Sequence, residues 1–166
     1  MAIFYANSPY AGVDLNNQSA TALFALGTHV LGTQDTEWVY LQANTSISAR
    51  TMIAFTALGS AGMASGSDLL NGLQLGTAQT TVSVSSYFWA AIRGIGRTVL
   101  TTGSATSVAQ GIFLAASSTP TGVLSNVASA SGSVAGIAFT DVTNQTATAT
   151  YTVATLSWPR GRAPGL

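Results

Sequence analysis

Few residues of this chain can do acid–base or nucleophilic chemistry. It has one histidine, His29, no cysteine and five acidic residues, of which Asp35 and Glu37 stand closest together. On a strand these two would share a face about 7 Å apart, a separation within the range used by inverting glycosidases. A serine hydrolase would need His29 as its base, but the chain has no G-x-S-x-G motif. The sequence therefore predicts no catalytic residues and a protein that is not an enzyme.

Metal and cofactor motifs are also missing from the sequence. One histidine, no cysteine and scattered aspartates do not make a transition-metal site, and a weak calcium site at Asp35 and Glu37 is the alternative. The segment 93–97, RGIGR, lacks the third glycine of a dinucleotide fingerprint. We therefore expect no metal and no cofactor, and we interpret Arg93 and Arg97 as side chains that reach acidic neighbours.

The composition points to a folded chain that associates with other subunits. Charged residues make up 6% of the sequence, against about 25% in typical domains, and five arginines balance the five acids. Because 47% of the residues are hydrophobic, the chain can form a core. A neutral surface repels copies of itself weakly, so we expect self-association. No basic cluster is present to neutralise phosphates, which argues against a nucleic-acid partner.

The sequence gives no sign of a membrane protein. Residues 98–140 carry no charge, but serine, threonine, glycine and asparagine interrupt the stretch throughout, unlike a spanning helix. Residues 1–10 lack the basic region and the long apolar run of a signal peptide. We expect no contact with a membrane.

Two-residue alternation is the main signal of secondary structure. It is clearest over 146–153, where threonines alternate with alanine, tyrosine and valine, and it slips at 154–156, where we expect a bulge. Residues 37–43 form a strand that is apolar on both faces and pairs with 25–31 as a hairpin. A further strand covers 51–57, with Ile53 and Phe55 on one face.

Short strands separated by Gly-, Ser- and Pro-rich turns continue along the chain. They are expected at 80–84, 97–101, 111–115 and 136–140, and the separators at 59–66, 102–107, 117–122 and 129–132. The best helical candidates, 20–26 and 86–92, are short. This pattern predicts an all-β, single-domain β-sandwich or β-barrel of short antiparallel strands.

The two ends differ in composition from the middle. We divide the chain into an extended N-terminal arm at 1–19, a β-rich core domain at 20–158, and a Pro/Gly/Arg tail at 159–166. The tail is expected to be irregular, because Pro159 and Pro164 remove backbone donors. Deleting the tail should therefore leave the fold intact while weakening any contact that it makes with a neighbouring subunit.

Several segments carry a resemblance to a known group of proteins. The segment 26–43, LGTHVLGTQDTEWVYLQA, is similar to a hairpin that opens small phage head proteins, with the pattern LGT…G…(D/S)…EWVYVQA. Further motifs fit the same group: YFWAAIRGIG at 87–96, GIFLAASSTPTGVL at 111–124, GSVAGIAFTD at 132–141 and LSWPR at 156–160. The resemblance spans residues 22–160 and rests on aromatic and turn residues.

This resemblance implies a capsid decoration, or cement, protein of a tailed phage. Such subunits sit on the outer surface of the mature capsid, bind the major capsid protein and are commonly homotrimers, so the location would be the virion after synthesis in the host bacterial cytoplasm. The alternative is a tail-tube, fibre or glycan-binding head-projection subunit. The tryptophans Trp38, Trp89 and Trp158 could serve such a sugar site, although packing in the core or an interface is the stronger interpretation. The predicted contact residues are Phe4, Tyr5, Arg93, Arg97, Trp158, Arg160 and Arg162.

Overall fold

The strands of the chain define its architecture. The computed structural model describes residues 3–5, 14–32, 35–65, 68, 71, 73–102, 115–116, 124–125, 133–139 and 150–162, with side chains at 14–32, 35–65, 68, 71, 73–94, 134, 137 and 155–159. Every element with defined bounds is a strand, and the protein is all-β as predicted. The strands are β1 (Ile3–Tyr5), β2 (His29–Leu31), β3 (Glu37–Ala43), β4 (Met52–Phe55), β5 (Ser60–Met63), β6 (Gln74–Ala78), β7 (Tyr87–Thr102), β8 (Ala115–Ala116), β9 (Leu124–Ser125), β10 (Ser133–Phe139) and β11 (Thr150–Arg162).

Five of these strands close into a barrel. β3 pairs with β5, β5 with β4, β4 with β6 and β6 with β7, and β7 returns to pair with β3. The β3–β5 pairing is parallel and the other four are antiparallel. Of the two architectures that the sequence left open, the chain therefore adopts the barrel, which leaves none of these five strands as an open edge.

The long strand β7 links the barrel to a second group of strands. Its first part, through Arg93, pairs with β3, and from Arg93 onwards it pairs with β11. Gly94 lies at this change of partner with a φ of +126°, and the register of β7 shifts on both sides of it. β11 also pairs with β10, and β8 pairs with β10 and β9. β2 pairs with β3, and β1 adds in parallel to β2.

Two separate apolar clusters occupy the two faces of the barrel strands. All five strands contribute to the inner cluster, which consists of Val39, Leu41, Ala43, Ile47, Ile53, Phe55, Ala61, Ala78, Val82, Phe88, Ala90 and Ile92. The alternate residues of β3, β4, β6 and β7 form the outer cluster with the N-terminal segment, β10 and β11. It consists of Leu15, Val30, Trp38, Tyr40, Met52, Ala54, Ala64, Leu75, Trp89, Ala91, Val134, Ile137 and Leu156. The barrel strands are therefore buried on both faces.

Several predicted elements are confirmed. The strand at 37–43 is β3, which is apolar and buried on both faces, and its hairpin partner is β2. β4 corresponds to the strand expected at 51–57, with Ile53 and Phe55 in the same cluster. The register shift in β11 between Ala154 and Leu156 confirms the expected bulge.

Other predicted elements are wrong. Residues 87–92 of the helical candidate at 86–92 belong to β7, because an apolar run that is buried on both faces of a sheet resembles a buried helix. Residues 20–26 form bends and turns, and 80–84 contain an isolated bridge between Ile47 and Val82. The separator at 59–66 contains β5, and the predictions at 111–114 and 146–149 lie outside the described residues. Among the described residues, no helix combines the length and apolar character needed to cross a membrane.

The irregular conformation expected from 159 onwards is wrong for residues 159–162. β11 continues to Arg162, with Arg160 opposite Ala135 and Arg162 opposite Ser133. Pro159 is buried, and the strand accommodates it next to Trp158, whose φ is +45°. Deleting 159–166 would therefore remove four residues of a paired strand. We now expect that deletion to lower stability, in contrast to the intact fold that composition predicted.

Candidate protein interface

Four strands and the turn before β3 bring distinctive polar and aromatic residues to one place. The Trp158 Nε1–H group donates a hydrogen bond to Glu37 Oε2 at 3.1 Å. The other oxygen of Glu37, Oε1, lies 2.6 Å from His29 Nδ1. The guanidinium carbon of Arg93 lies 4.7 Å from the centroid of the Trp158 ring, and Arg93 also forms an ion pair with Asp35. We call these five residues the Trp158 cluster.

Backbone pairing positions this cluster. Glu37 at the start of β3 lies opposite Arg93 on β7, and Arg93 lies opposite Ser157 on β11. His29 comes from β2, and Asp35 from the turn before β3, where its φ is +56°. An aspartate tolerates that left-handed conformation better than most residues. The hairpin, β7 and β11 therefore each supply part of one continuous contact network.

The Trp158 ring is fixed but accessible. Its edge is held by the hydrogen bond to Glu37 and its face by the Arg93 cation, an arrangement that limits the motion of the ring. Even so, 47% of the residue is exposed. Large aromatic residues and arginines that are held rigidly at a surface are the typical energetic centres of protein interfaces. The cluster is thus suited to receive a partner without large loss of side-chain entropy.

The two carboxylates, Asp35 and Glu37, have different contact partners. Asp35 pairs with Arg93, whereas Glu37 contacts His29 and Trp158. Within the described part of the chain, Glu37 is the polar side-chain partner of His29, and no serine hydroxyl is bonded to the imidazole. Those residues also include no group of three or more His, Cys, Asp or Glu side chains that could hold a metal ion.

A second surface feature consists of exposed leucines. Leu58, in the β4–β5 hairpin, is 84% exposed, and Leu23 and Leu26 are exposed in the segment before β2. Leu26 and Leu58 belong to one patch, because a Cβ built on Gly59 would lie 2.7 Å from the Cβ of Leu26. We call Leu26 and Leu58 the leucine patch. The composition does not predict this patch. The local sequence signal for it is a leucine immediately before a turn glycine, at both 26–27 and 58–59.

The remaining predicted contact residues lie on described backbone. Phe4 and Tyr5 of β1 lie opposite Val30 and Leu31 of β2. Arg97 lies opposite Ala154, outside the barrel. Arg160 lies opposite both Ala135 and Gln74, and Arg162 opposite Ser133, so both belong to the paired part of β11. Of the predicted residues, Arg93 and Trp158 are the two that the described side chains place in contact.

Removing the carboxylate of Glu37 should destabilise the protein more than removing that of Asp35. The Glu37 side chain is 13% exposed, and a Glu37→Ala variant leaves two polar neighbours without their acceptor, at a cost of about 1–3 kcal/mol. The Asp35 side chain is 70% exposed, so Asp35→Ala should cost less than about 1 kcal/mol. Urea unfolding of the two variants measures both values. Equal losses would contradict a central role of Glu37 in the cluster.

The Trp158 cluster is polar and aromatic, whereas the leucine patch is apolar and lies in turns. No protein-family model matches the chain, and no curated protein is significantly similar to it.

Proposed function

We propose that the protein is a structural virion component that binds the outer surface of a phage capsid and stabilises the shell by bridging major capsid protein subunits. One observation carries this proposal: the described surface exposes five large apolar side chains but three charged ones. The apolar ones are Leu23, Leu26, Leu58, Val84 and Trp158. The charged ones are Asp14, Asp35 and Arg50. Exposed apolar groups beside so few charges support the proposal that other subunits cover part of this surface.

A surface with few charges lowers the cost of burial in an assembly. Charged groups lose their hydration when a partner covers them, and pairing does not always compensate for that loss. In the Trp158 cluster, the charges of Asp35, Glu37 and Arg93 already have partners within the chain. A capsid subunit could therefore cover this region without leaving an unpaired charge.

The segments that resemble phage head proteins supply the Trp158 cluster. Glu37 comes from the EWVYLQA strand, Arg93 from the YFWAAIRGIG segment and Trp158 from the LSWPR segment. Their contacts give these motifs a shared structural role at one surface. This supports the use of that surface for the contact with the major capsid protein.

Bridging subunits stabilises a shell by mass action. A protein that binds the assembled capsid but not its separated subunits shifts the equilibrium towards the assembled state. In the proposed arrangement the protein is a homotrimer, and each trimer contacts several capsid subunits. Several weak contacts then act together, and their combined affinity far exceeds that of one contact.

Co-sedimentation with expanded heads from the same phage, lacking their own copies of this protein, tests the proposal. We expect saturable binding, and we expect the loaded heads to withstand a higher temperature before releasing DNA. Absence of binding to every head form would contradict the proposal. Rings or filaments formed by the purified protein alone would instead favour a tail-tube subunit.

Single substitutions in the proposed interface should weaken binding to heads. Trp158→Ala removes the exposed ring and Leu58→Ala removes the most exposed leucine, and each should raise the dissociation constant at least tenfold, as for central interface residues. Thr81→Ala is the control, because Thr81 is also exposed but belongs to neither surface. Binding that is insensitive to both Trp158→Ala and Leu58→Ala would exclude these two surfaces as the contact.

A further inference from the structure

A cavity on the outer face of the barrel has one aromatic and one polar wall. It has a volume of about 290 Å³ and lies between the N-terminal segment and the outer faces of β3 and β7. Its aromatic wall consists of Phe24, Tyr40, Tyr87 and Trp89. A cavity near the lower limit of small-molecule sites, about 300 Å³, suits a ligand of one or two rings. The described lining contains no residue of the Trp158 cluster. The exposed side chain of Leu23 lies at the rim of the cavity.

The rings of the aromatic wall pack against one another. Tyr40 lies at the centre, with its ring centroid 5.3 Å from that of Phe24, 4.9 Å from that of Trp89 and 6.1 Å from that of Tyr87. Tyr40 and Trp89 are buried, whereas Phe24 and Tyr87 are half-buried and reach the cavity surface. Aromatic rings offer a flat apolar surface with a partial negative charge on the face. The C–H groups of a pyranose ring, which carry partial positive charge, pack against such a surface.

The polar wall holds its side chains in place through backbone hydrogen bonds. Gln18 Oε1 accepts from the Ser83 amide at 2.7 Å, and Asn17 Oδ1 accepts from the amide of Gln18 at 2.9 Å. Asp14 Oδ1 accepts from the Asn16 amide at 3.0 Å. In each side chain these bonds engage one oxygen, so the amide NH2 groups of Gln18 and Asn17 and the second oxygen of Asp14 remain for a ligand.

The buried hydroxyl of Tyr40 adds a donor to the aromatic wall. Its oxygen accepts the backbone N–H of Leu23 at 3.1 Å, and the structure describes no acceptor for its own hydrogen. A ligand oxygen in the cavity would accept this hydrogen bond, and a buried donor without an acceptor is costly. The cavity thus offers donors and acceptors on both walls, together with a stacking surface.

We propose that this cavity binds a neutral saccharide. The described lining contains one carboxylate, Asp14, and no cationic side chain, so an anionic ligand is disfavoured. A sugar combines apolar ring faces with hydroxyl groups that both donate and accept, which matches the two walls. Sugar binding would be a function in addition to capsid binding. A capsid that carries many copies of the protein would attach to a glycan surface through many weak contacts.

Saturation-transfer NMR and calorimetry on the purified protein test this proposal with defined probes. The probes are methyl glucoside, N-acetylglucosamine, maltotriose and chitotriose. We expect saturable millimolar binding of at least one of them, with magnetisation transferred to the ring C–H protons. Tyr87→Leu keeps an apolar side chain but removes the stacking face, and should weaken that binding at least tenfold.

Two exposed asparagines provide a matched comparison that does not depend on folding. Asn17→Ala should weaken binding at least threefold, whereas Asn71→Ala, outside the cavity, should leave it unchanged. Absence of binding for all four sugars, or binding that is insensitive to both Tyr87→Leu and Asn17→Ala, would overturn the proposal. The isolated protein is used throughout, so the result is independent of whether it binds capsids.

Discussion

Replacing Gly94 with alanine is expected to lower the free energy of unfolding by about 2–6 kcal/mol. A methyl group at this position would lie 2.5 Å from Cγ2 and 2.9 Å from Cα of Thr36, which is buried. Overpacking of this kind costs about 1–3 kcal/mol. The φ of +126° adds backbone strain of about 1–3 kcal/mol for any L side chain. Urea unfolding followed by tryptophan fluorescence measures the sum.

A second glycine separates the two contributions. Gly27 has a φ of +76°, but a Cβ there would have no atom within 4 Å, so Gly27→Ala should cost about 1–2 kcal/mol of backbone strain alone. Gly94→Ala should cost more than Gly27→Ala, because only Gly94→Ala adds the contact with Thr36 to the backbone strain. Equal losses would show that β7 can shift away from Thr36 at no cost. Because Arg93 precedes Gly94, such a shift would also move the guanidinium group that lies over Trp158.

Local patterns in the sequence predicted the strands that combine aromatic or β-branched residues with a clear turn. β3 is the best example, because Trp38, Val39 and Tyr40 favour a strand and the preceding turn fixes where it begins. Its apolar residues on both faces correctly indicated burial on both faces. The slip in alternation at 154–156 likewise corresponds to a bulge in β11.

The strands that were missed lack such local signals. β5, with the sequence SAGM, is made of small residues that resemble a turn, and it becomes a strand because β3 and β4 pair with it on either side. β11 includes Pro159 because long-range pairing with β10 outweighs the local preference for irregular structure. In both cases contacts between distant segments decide the conformation, and a pattern within a few residues contains no information about them.

Two residues of the Trp158 cluster were predicted as contact residues from the sequence, but the arrangement of the cluster was not. Arg93 and Trp158 were predicted as contact residues, and Arg93 was expected to reach an acid, which Asp35 supplies. The hydrogen bond between Trp158 and Glu37 joins residues 121 positions apart, so only the fold brings them together. The cavity lined by Phe24, Tyr40, Tyr87 and Trp89 depends in the same way on the N-terminal segment, which lies against the outer face of β3 and β7.

Because the barrel is closed and its outer face is covered, we expect two adjacent residues of β4 both to be essential for stability. Ile53 points into the barrel and Met52 into the outer cluster, and neither is more than 1% exposed. We expect Ile53→Ala and Met52→Ala each to lower the free energy of unfolding by about 2–5 kcal/mol, as for other large-to-small changes in a core. A strand with one face in solvent would instead show a large loss at only one of the two positions.

Leu58→Ala provides the control for this comparison, because Leu58 is 84% exposed in the hairpin that follows β4. Its unfolding free energy should change by less than about 0.5 kcal/mol. If Met52→Ala were as mild as Leu58→Ala, the outer cluster would not hold the N-terminal segment, β10 and β11 against the barrel. Losses of similar size at both β4 positions, combined with normal stability of Leu58→Ala, would establish two apolar layers separated by a single sheet. In that case a defect of Leu58→Ala in capsid binding would reflect a lost contact and not a weakened fold.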